Sequence, residues 1–433
     1  MSEYTEKIKN LFLRNKTVKN AGWLIGGRIA QMLINLVVGL LTARYLGPSN
    51  FGLINYAAAY TGFFSAFCSL GINSVIVKEI IDNPDEEGKI IGTSLGMKAI
   101  SSFLSALTII CIVSIIDAGE KVTILVAALC SIGMVFQIFE TINYWFQSKL
   151  QSKFTAIATF VAYVVTAAYK VVLLALGKSV EWFAFATSVD YICIGILLFV
   201  AYKKKGGGKF LFSWEYGKSI LKKSCHFILP GMMVAIYAQT DKIMLKQMIS
   251  EAEIGFYSTA VSLSGIWCFV LSAIIDSVYP SIMQANRTNE ELFVKRNKQL
   301  YMAIFYISVS VSLMFAIFAK PIVYILYGEA YLPAVTPLRI ITWYTAFSYL
   351  GVAKNAWVVC KDRQKYLIYV YAAAAFSNVV LNLIFIPKFG ASGAAFASLA
   401  AQIMTTLVVP FFIKGLRENS KMIVEAILFK GIK

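Results

Sequence analysis

Charge is scarce in this chain: 15% of its 433 residues are Asp, Glu, Lys or Arg, and His226 is the only histidine. A lone histidine at the start of an apolar run reads as an interfacial or capping residue rather than a proton relay. No His, Cys, Asp and Glu residues share metal-ligand spacing. The seven cysteines (68, 111, 130, 193, 225, 268 and 360) fall inside or at the ends of apolar segments without paired spacing, which suits small buried side chains better than disulfides or metal ligands. There is no P-loop, nucleophile elbow or Gly-x-Gly-x-x-Gly, and Gly206-Gly207-Gly208 has no phosphate-binding helix after it. Nothing therefore suggests ATP hydrolysis, and no cofactor is expected. The first twenty residues lack an apolar core followed by a small-residue cleavage site, so no signal peptide is expected. The spacing of Ile8, Leu11 and Phe12 there suits a short surface helix.

What is abundant is apolar. Hydrophobic residues make up 58% of the chain and mean hydropathy is +0.70. Runs of some 20 apolar residues, enough to cross the roughly 30 Å hydrocarbon core, recur along the whole length. This predicts an all-α polytopic membrane protein with about twelve transmembrane helices. Counting Lys and Arg by loop gives about 28 on the side of the N-terminus and about 6 on the other, which places both termini in the cytoplasm. The net charge of +17 is then a signature of topology, not of nucleic-acid binding. The outward loops are short and leave little room for an external catalytic domain. Trp23, Tyr45, Trp145, Trp182, Trp343 and Trp357 fall mostly near span ends, as interfacial belts do.

The chain is organised around its opening hairpin, Lys19 to Glu79, which turns at Arg44-Tyr45-Leu46-Gly47-Pro48. The hairpin returns later. Ile254-Gly255-Phe256 mirrors Phe51-Gly52-Leu53 at an offset of 203 residues. Between the copies lies a basic stretch, Lys203-Lys204-Lys205-Gly206-Gly207-Gly208-Lys209, followed by a short amphipathic piece with Phe210, Phe212 and Trp214. The expected domains are a six-helix bundle at 1–203, a flexible basic cytoplasmic linker at 204–222, and a six-helix bundle with a cytoplasmic tail at 223–433. Their relation would be a pseudo-two-fold along the membrane normal, with a substrate path between them.

Candidate functional residues are those that are expensive in lipid. An ionisable group at the bilayer centre costs roughly 2.5 to 3.5 kcal/mol on insertion scales, so it faces a cavity or a partner. Arg28, Gln31, Asn35, Gly39 and Thr42 form one polar stripe along a helix face, and Asn55, Ala59, Gly62, Ala66, Ser69 and Asn73 form a second. With Lys98 and Lys170 they suggest a cationic half-cavity for an anionic head group: Arg28, Gln31, Asn35, Asn55, Asn73, Lys98 and Lys170 are the candidate substrate-binding residues. Glu140 and Asp190 are the acids of that half. Lys98, Glu140 and Lys354 alternatively snorkel to the membrane surface. Asp241 and Lys242 are sequence neighbours that cannot face each other on a helix, so each needs a partner elsewhere, for helix pairing or for coupling.

Several motifs resemble one family. Arg44-Tyr45-Leu46-Gly47 followed by Phe51-Gly52, Asp241-Lys242-Ile243-Met244-Leu245 followed by Gly255-Phe256-Tyr257, Leu326-Tyr327-Gly328, Asn378 to Asn382, and Ile386-Pro387-Lys388-Phe389-Gly390 with Gly393-Ala394-Ala395 resemble the Wzx-type lipid-linked oligosaccharide flippases. The resemblance covers nearly the whole chain. It implies the fold of the multidrug and oligosaccharidyl-lipid exporter superfamily, two six-helix bundles in a MATE-like V that opens to one side at a time. It also implies a bacterial cytoplasmic-membrane protein moving undecaprenyl-diphosphate-linked glycan from the inner to the outer leaflet. Its partners would be that glycan, membrane lipid and a candidate ion gradient, with no nucleic acid and a monomeric chain. One departure stands out: Lys246-Gln247 occupies the place where the family commonly has a glycine after the Asp-Lys motif. The alternative within the superfamily is a multidrug or other small-molecule cation antiporter, which would favour anionic cavity residues. A glycan polymerase or ligase would need catalytic groups on a sizeable outer loop. A scaffold protein would not need the Arg28, Gln31, Asn35 stripe.

Overall fold

The computed structural model describes the backbone of residues 16–430, and their side chains except at positions 16–25, 27–30, 74, 226, 227 and 230. The expected surface helix around Ile8, Leu11 and Phe12, and the side chains of Trp23, Arg28 and His226, lie outside these described residues. All regular elements among the described residues are helical. Lipid offers a backbone no hydrogen bonds, and a helix satisfies its own. Eight stretches among the described residues are long and apolar enough to cross a membrane. Two of them contain a break. Gln31–Ser69 turns at Gly47 (φ 72°), and Gln364–Phe412 turns at Gly390 (φ 52°). Both are left-handed conformations that glycine adopts without a Cβ clash. The outer surface carries exposed Phe103, Ile115, Leu176, Ile325 and Phe376. Such a surface would aggregate in water and is matched to hydrocarbon, so the chain is a multi-pass membrane protein.

The described residues form two compact units. The first takes the chain up to Leu46 together with Tyr60–Met232, and the second takes Gly47–Ala59 together with the chain from Met233 onward. The first unit packs around buried Ile72, Ile76, Trp145, Phe146, Tyr202 and Ile220. The segment 204–222, expected as a free linker, is bound into this unit. Tyr202 Oη donates to the Gly208 carbonyl at 3.1 Å, and the Leu211 amide donates to the Gly88 carbonyl at 3.2 Å. The Ser213 amide donates to Thr93 Oγ1 at 3.1 Å, and Phe210 stacks on Tyr202 with centroids 5.0 Å apart. A Cβ on Gly88 would sit 2.4 Å from the Lys209 carbonyl oxygen, so only glycine lets the strap lie this close. Its end is fastened at Glu79, which accepts from Tyr216 Oη at 2.9 Å and from Lys223 Nζ at 2.6 Å. Burial raises the Glu79 pKa, but the Lys223 ammonium and Tyr216 hydroxyl outweigh it and hold the carboxyl below its usual range. Burial, and then Glu79, push the Tyr216 hydroxyl up. The helix that follows runs unbroken over Trp214–Met248, and the change of unit falls inside it, at Met232 and Met233.

The second unit packs around Leu271, Phe293, Tyr301, Ile304, Trp357 and Ile423. It includes 47–59 because of a very close backbone crossing. A Cβ on Gly52 would lie 1.8 Å from the Glu251 carbonyl oxygen, and one on Gly255 would lie 2.2 Å from the Pro48 carbonyl oxygen. Pro48 and Glu251 stand 203 residues apart, as do Gly52 and Gly255, so the contact is reciprocal at that offset. Lys246 and Gln247 fasten the same segment: Lys246 Nζ lies 4.9 Å over the Tyr56 ring, and Gln247 Nε2 donates to Tyr56 Oη at 2.8 Å. Gly328 (φ 90°) ends the Glu290–Tyr327 helix, and buried Tyr331 beyond it has the Phe51 and Phe256 rings each 6.4 Å away.

Trp145 and Trp357 correct the aromatic-belt expectation. Both are fully buried, and Trp145 Nε1 donates to Glu87 Oε2 at 3.0 Å. Proximity to a span end places a residue along the membrane normal and leaves its side-chain direction to packing.

Candidate functional site

Each unit holds a polar core. In the first, Lys98 on the Glu87–Ile116 helix is 5% exposed and donates from Nζ to Asn73 Oδ1 at 2.8 Å. Its Nζ lies 5.5 Å from the Tyr144 ring centroid. The Glu140 carboxylate stands within Coulombic reach of that ammonium. Between them is a cavity of about 50 Å³, lined by Ser69, Asn73, Lys98, Gln137 and Glu140. That volume holds water and no sugar. Lys170 has the Asp190 carboxylate as its counter-charge, and Asp190 Oδ1 accepts from Thr166 Oγ1 at 3.4 Å. The Tyr163 hydroxyl bonds the side chains of Gln31 and Asn35 in the field of Asp190.

Folding therefore brings Gln31, Asn35, Asn73, Lys98 and Lys170 into one unit and adds Glu140, Tyr163 and Asp190 to them. In this core buried Lys98 and half-buried Lys170 each stand in the field of a carboxylate, Glu140 and Asp190. Lys98 is buried rather than snorkelling, because Asn73 and Glu140 satisfy it in place. Asn55 is not brought to the others. It belongs to the second unit and donates to the Phe51 carbonyl of its own helix at 2.9 Å.

In the second unit the centre is Asp241, 3% exposed. Its Oδ1 accepts from Asn378 Nδ2 at 2.9 Å and from Asn382 Nδ2 at 2.6 Å. Its Oδ2 accepts from the hydroxyls of Tyr257 and Ser398. Four donors fill the lone-pair sites of an ionised carboxylate. They come from the Glu251–Gly265 helix and from both arms of the hairpin that turns at Gly390, so one carboxylate ties four segments together. The local reason is spacing. Asn378 and Asn382 stand four apart on one helix face, and Nδ2 of Asn382 also reaches Asn378 Oδ1 at 3.1 Å. The turn beyond is held by Glu253, whose Oε2 accepts from the Ala391 amide at 2.5 Å at the start of the second arm. Lys242 lies in the field of Asp241 and is half-buried.

Asp241 borders a cavity of about 260 Å³, lined by Tyr237, Tyr257, Ser264, Tyr344, Ser348 and Ser398 among others. A neighbouring cavity of about 240 Å³ shares the wall formed by Tyr237, Tyr344 and Ser348 and reaches Lys354, Tyr371 and Gln402. Among the described residues no group of three or more His, Cys, Asp or Glu is placed to hold a metal. Tyr257, Asn378, Asn382 and Ser398 were not singled out as site residues from the sequence, although three of them stand within the motifs of the resemblance. The signal was there: polar residues at helical spacing in spans with little else that is polar.

Comparison with known proteins agrees with this architecture. A protein of Escherichia coli K12 assigned as an O-antigen transporter is 21% identical over 90% of this chain and 95% of its own. Among solved structures, the lipid II flippase MurJ in an inward closed conformation superposes with a TM-score of 0.70 at 14% identity, covering 95% of this chain and 90% of that one. An inward-facing multidrug resistance MATE family transporter of the MOP superfamily does so with a TM-score of 0.67 at 16% identity, covering 91% and 96%. At such identities the likeness is one of fold, and the fold is that of the MATE transporters. The family model described as polysaccharide biosynthesis protein matches residues 17–286. On a match spanning more than half its length, this chain belongs to the polysaccharide biosynthesis protein family.

Proposed function

We propose that this protein is a flippase that moves undecaprenyl-diphosphate-linked oligosaccharide from the inner to the outer leaflet of a bacterial cytoplasmic membrane, for surface polysaccharide synthesis. The observation that carries the reading is the family match over 17–286. The similarities to an O-antigen transporter and to the fold of a lipid II flippase support it. The chain acts by alternating access with twelve spans and both termini cytoplasmic, and it is not an enzyme. The substrate side is on the first unit: Gln31 and Asn35 would meet hydroxyls and Arg28 would grip phosphate oxygens in a bidentate way, while Asn73, Lys98 and Lys170 shape the field from a core too tight for sugar. Asn55 would contribute from the second unit. Energy enters at Asp241, a buried carboxylate beside a cavity that could take up a proton in exchange for some of its four donors.

A cation antiporter is the competing reading, favoured by the MATE fold and by a buried carboxylate that among the described residues has no hydrogen-bonded ammonium. The test is glycan production in a cell lacking its own flippase, read beside resistance to cationic drugs. The flippase reading expects wild type to restore glycan and leave drug resistance unchanged. It expects Arg28→Lys to restore less and Arg28→Ala less again, roughly tenfold to hundredfold weaker engagement, at equal membrane levels. Drug efflux without glycan overturns it.

A further inference from the structure

Lys98 and Lys170 of the first-unit core each stand in the field of a carboxylate, Glu140 and Asp190, and Lys242 adjoins Asp241 in sequence. Lys354 differs. It is 7% exposed, and its one hydrogen bond among the described residues runs from Nζ to the Thr405 carbonyl at 3.4 Å, beyond the usual range. Among the described residues no carboxylate pairs with it. Snorkelling, one of the two expectations for Lys354, fails because the side chain is enclosed. An ammonium has three donors and no acceptor, and one buried without a counter-anion is destabilising unless something else brings the negative charge.

The surroundings fit a visiting anion. Lys354 lines the cavity of about 240 Å³, below the range of about 300 to 1,000 Å³ that encloses a drug-sized ligand. The space suits a phosphate or diphosphate group and excludes an oligosaccharide. The polar wall beside it is already wired. Tyr237 Oη donates to Gln402 Oε1 at 2.7 Å, Gln402 Nε2 to Thr406 Oγ1 at 3.0 Å, and Thr406 Oγ1 to the Phe347 carbonyl at 3.0 Å. That chain is closed in itself and leaves the lysine's charge to a guest. Thr405 and Thr406 sit in a π-helical turn, Met404–Val408, a local widening that recurs at functional sites and costs regular helix bonding.

The geometry points to a second oxyanion subsite at Lys354, inside the second unit, that takes the phosphate-type group of the transported lipid at a different stage of transport from Arg28. The inference rests on the flippase reading for the source of the phosphate and not for the existence of the site. Because the site shares Tyr237, Tyr344 and Ser348 with the cavity at Asp241, an anion held there and an ion held at Asp241 would be felt through one wall of side chains.

The experiment uses the full chain purified in lipid nanodiscs, with undecaprenyl diphosphate, undecaprenol and inorganic pyrophosphate as probes. Wild type is expected to bind undecaprenyl diphosphate, Lys354→Gln to bind it roughly tenfold or more weakly, and Lys354→Arg to retain most of the affinity, with undecaprenol bound equally by all three. A second measurement needs no variant. Acetylation of Lys354 in wild type, followed by mass spectrometry, should slow several-fold with undecaprenyl diphosphate and not with undecaprenol. If the diphosphate lipid binds while Lys354→Gln and the acetylation rate show no response, the subsite is overturned and the flippase reading stands. If inorganic pyrophosphate alone protects Lys354 and the lipid does not bind, the subsite stands and the flippase reading fails.

Discussion

The two units solve the same problem in opposite ways. Each buries ionisable groups in a bundle that faces lipid. In the first unit Lys98 and Lys170 each stand in the field of a carboxylate, Glu140 and Asp190, and the cavity lined by Lys98 and Glu140 is about 50 Å³. In the second, Asp241 is wrapped by neutral amides and hydroxyls, Lys354 has a single carbonyl, and cavities of about 260 and 240 Å³ adjoin them. Matched charges satisfy each other and close the packing. Unmatched ones are tolerable when donors or a guest take the place of the counter-charge, and they leave room for that guest.

The largest break in this contrast should come at Asp241. Asp241→Ala removes the one acceptor of four donors on three segments. The expected loss is on the order of 3 kcal/mol, read as a lower unfolding temperature in detergent and less protein in the membrane. Asp241→Asn is milder in shape but sets an amide N–H₂ against two donors, so it should fall between wild type and alanine. Wild-type unfolding for both variants would mean that the carboxylate does not tie the segments.

Next in size is the glycine crossing. Gly52→Ala and Gly255→Ala each force a methyl into a backbone carbonyl, and each should lose about 1 to 3 kcal/mol by the same assay. Gly39→Ala, with open space around its Cβ position, should be neutral. Unequal losses at Gly52 and Gly255 would argue against a reciprocal contact.

A smaller effect sharpens the picture of matched charges in the first unit. Lys98→Met and Glu140→Gln should each destabilise alone, and the double variant should recover about 1 kcal/mol of the summed loss. Strict additivity would show that the two charges do not compensate each other.

The smallest effect concerns the strap. The Glu79 pKa is lowered in the folded chain, so its contribution is present above the unfolded carboxylate value near 4.3 and is lost as pH falls through the folded value. With Lys223 half exposed and screened, that contribution is under about 1 kcal/mol. Hydrogen exchange of the Leu211 and Ser213 amides should quicken below about pH 4 and in Glu79→Gln at neutral pH. Unchanged exchange would mean that the Gly88 and Thr93 contacts hold the strap without Glu79.

Much of the fold was legible because hydropathy is a local sum. The hairpin turn at Gly47 was legible too, since a tight reversal between apolar runs needs glycine. Asp241 stood out as a charge in lipid, and its partners did not, because Asn378 and Ser398 lie 137 and 157 residues away. The glycine run at 206–208 reads as a free joint. What holds it is Tyr202 on one side and the bare backbone of Gly88 on the other. Neither carries a local mark.

Composition and the spacing of apolar residues were enough to establish a helical, multi-pass membrane protein with a short set of charges in its apolar runs, because the cost of each group in lipid depends on its own chemistry. Which lysine has a carboxylate and which has none was settled only in three dimensions. Charge interaction falls with distance in space, and Lys98 with Glu140, Lys170 with Asp190, and Lys354 with a lone carbonyl are distinguished by helix packing that no single segment encodes.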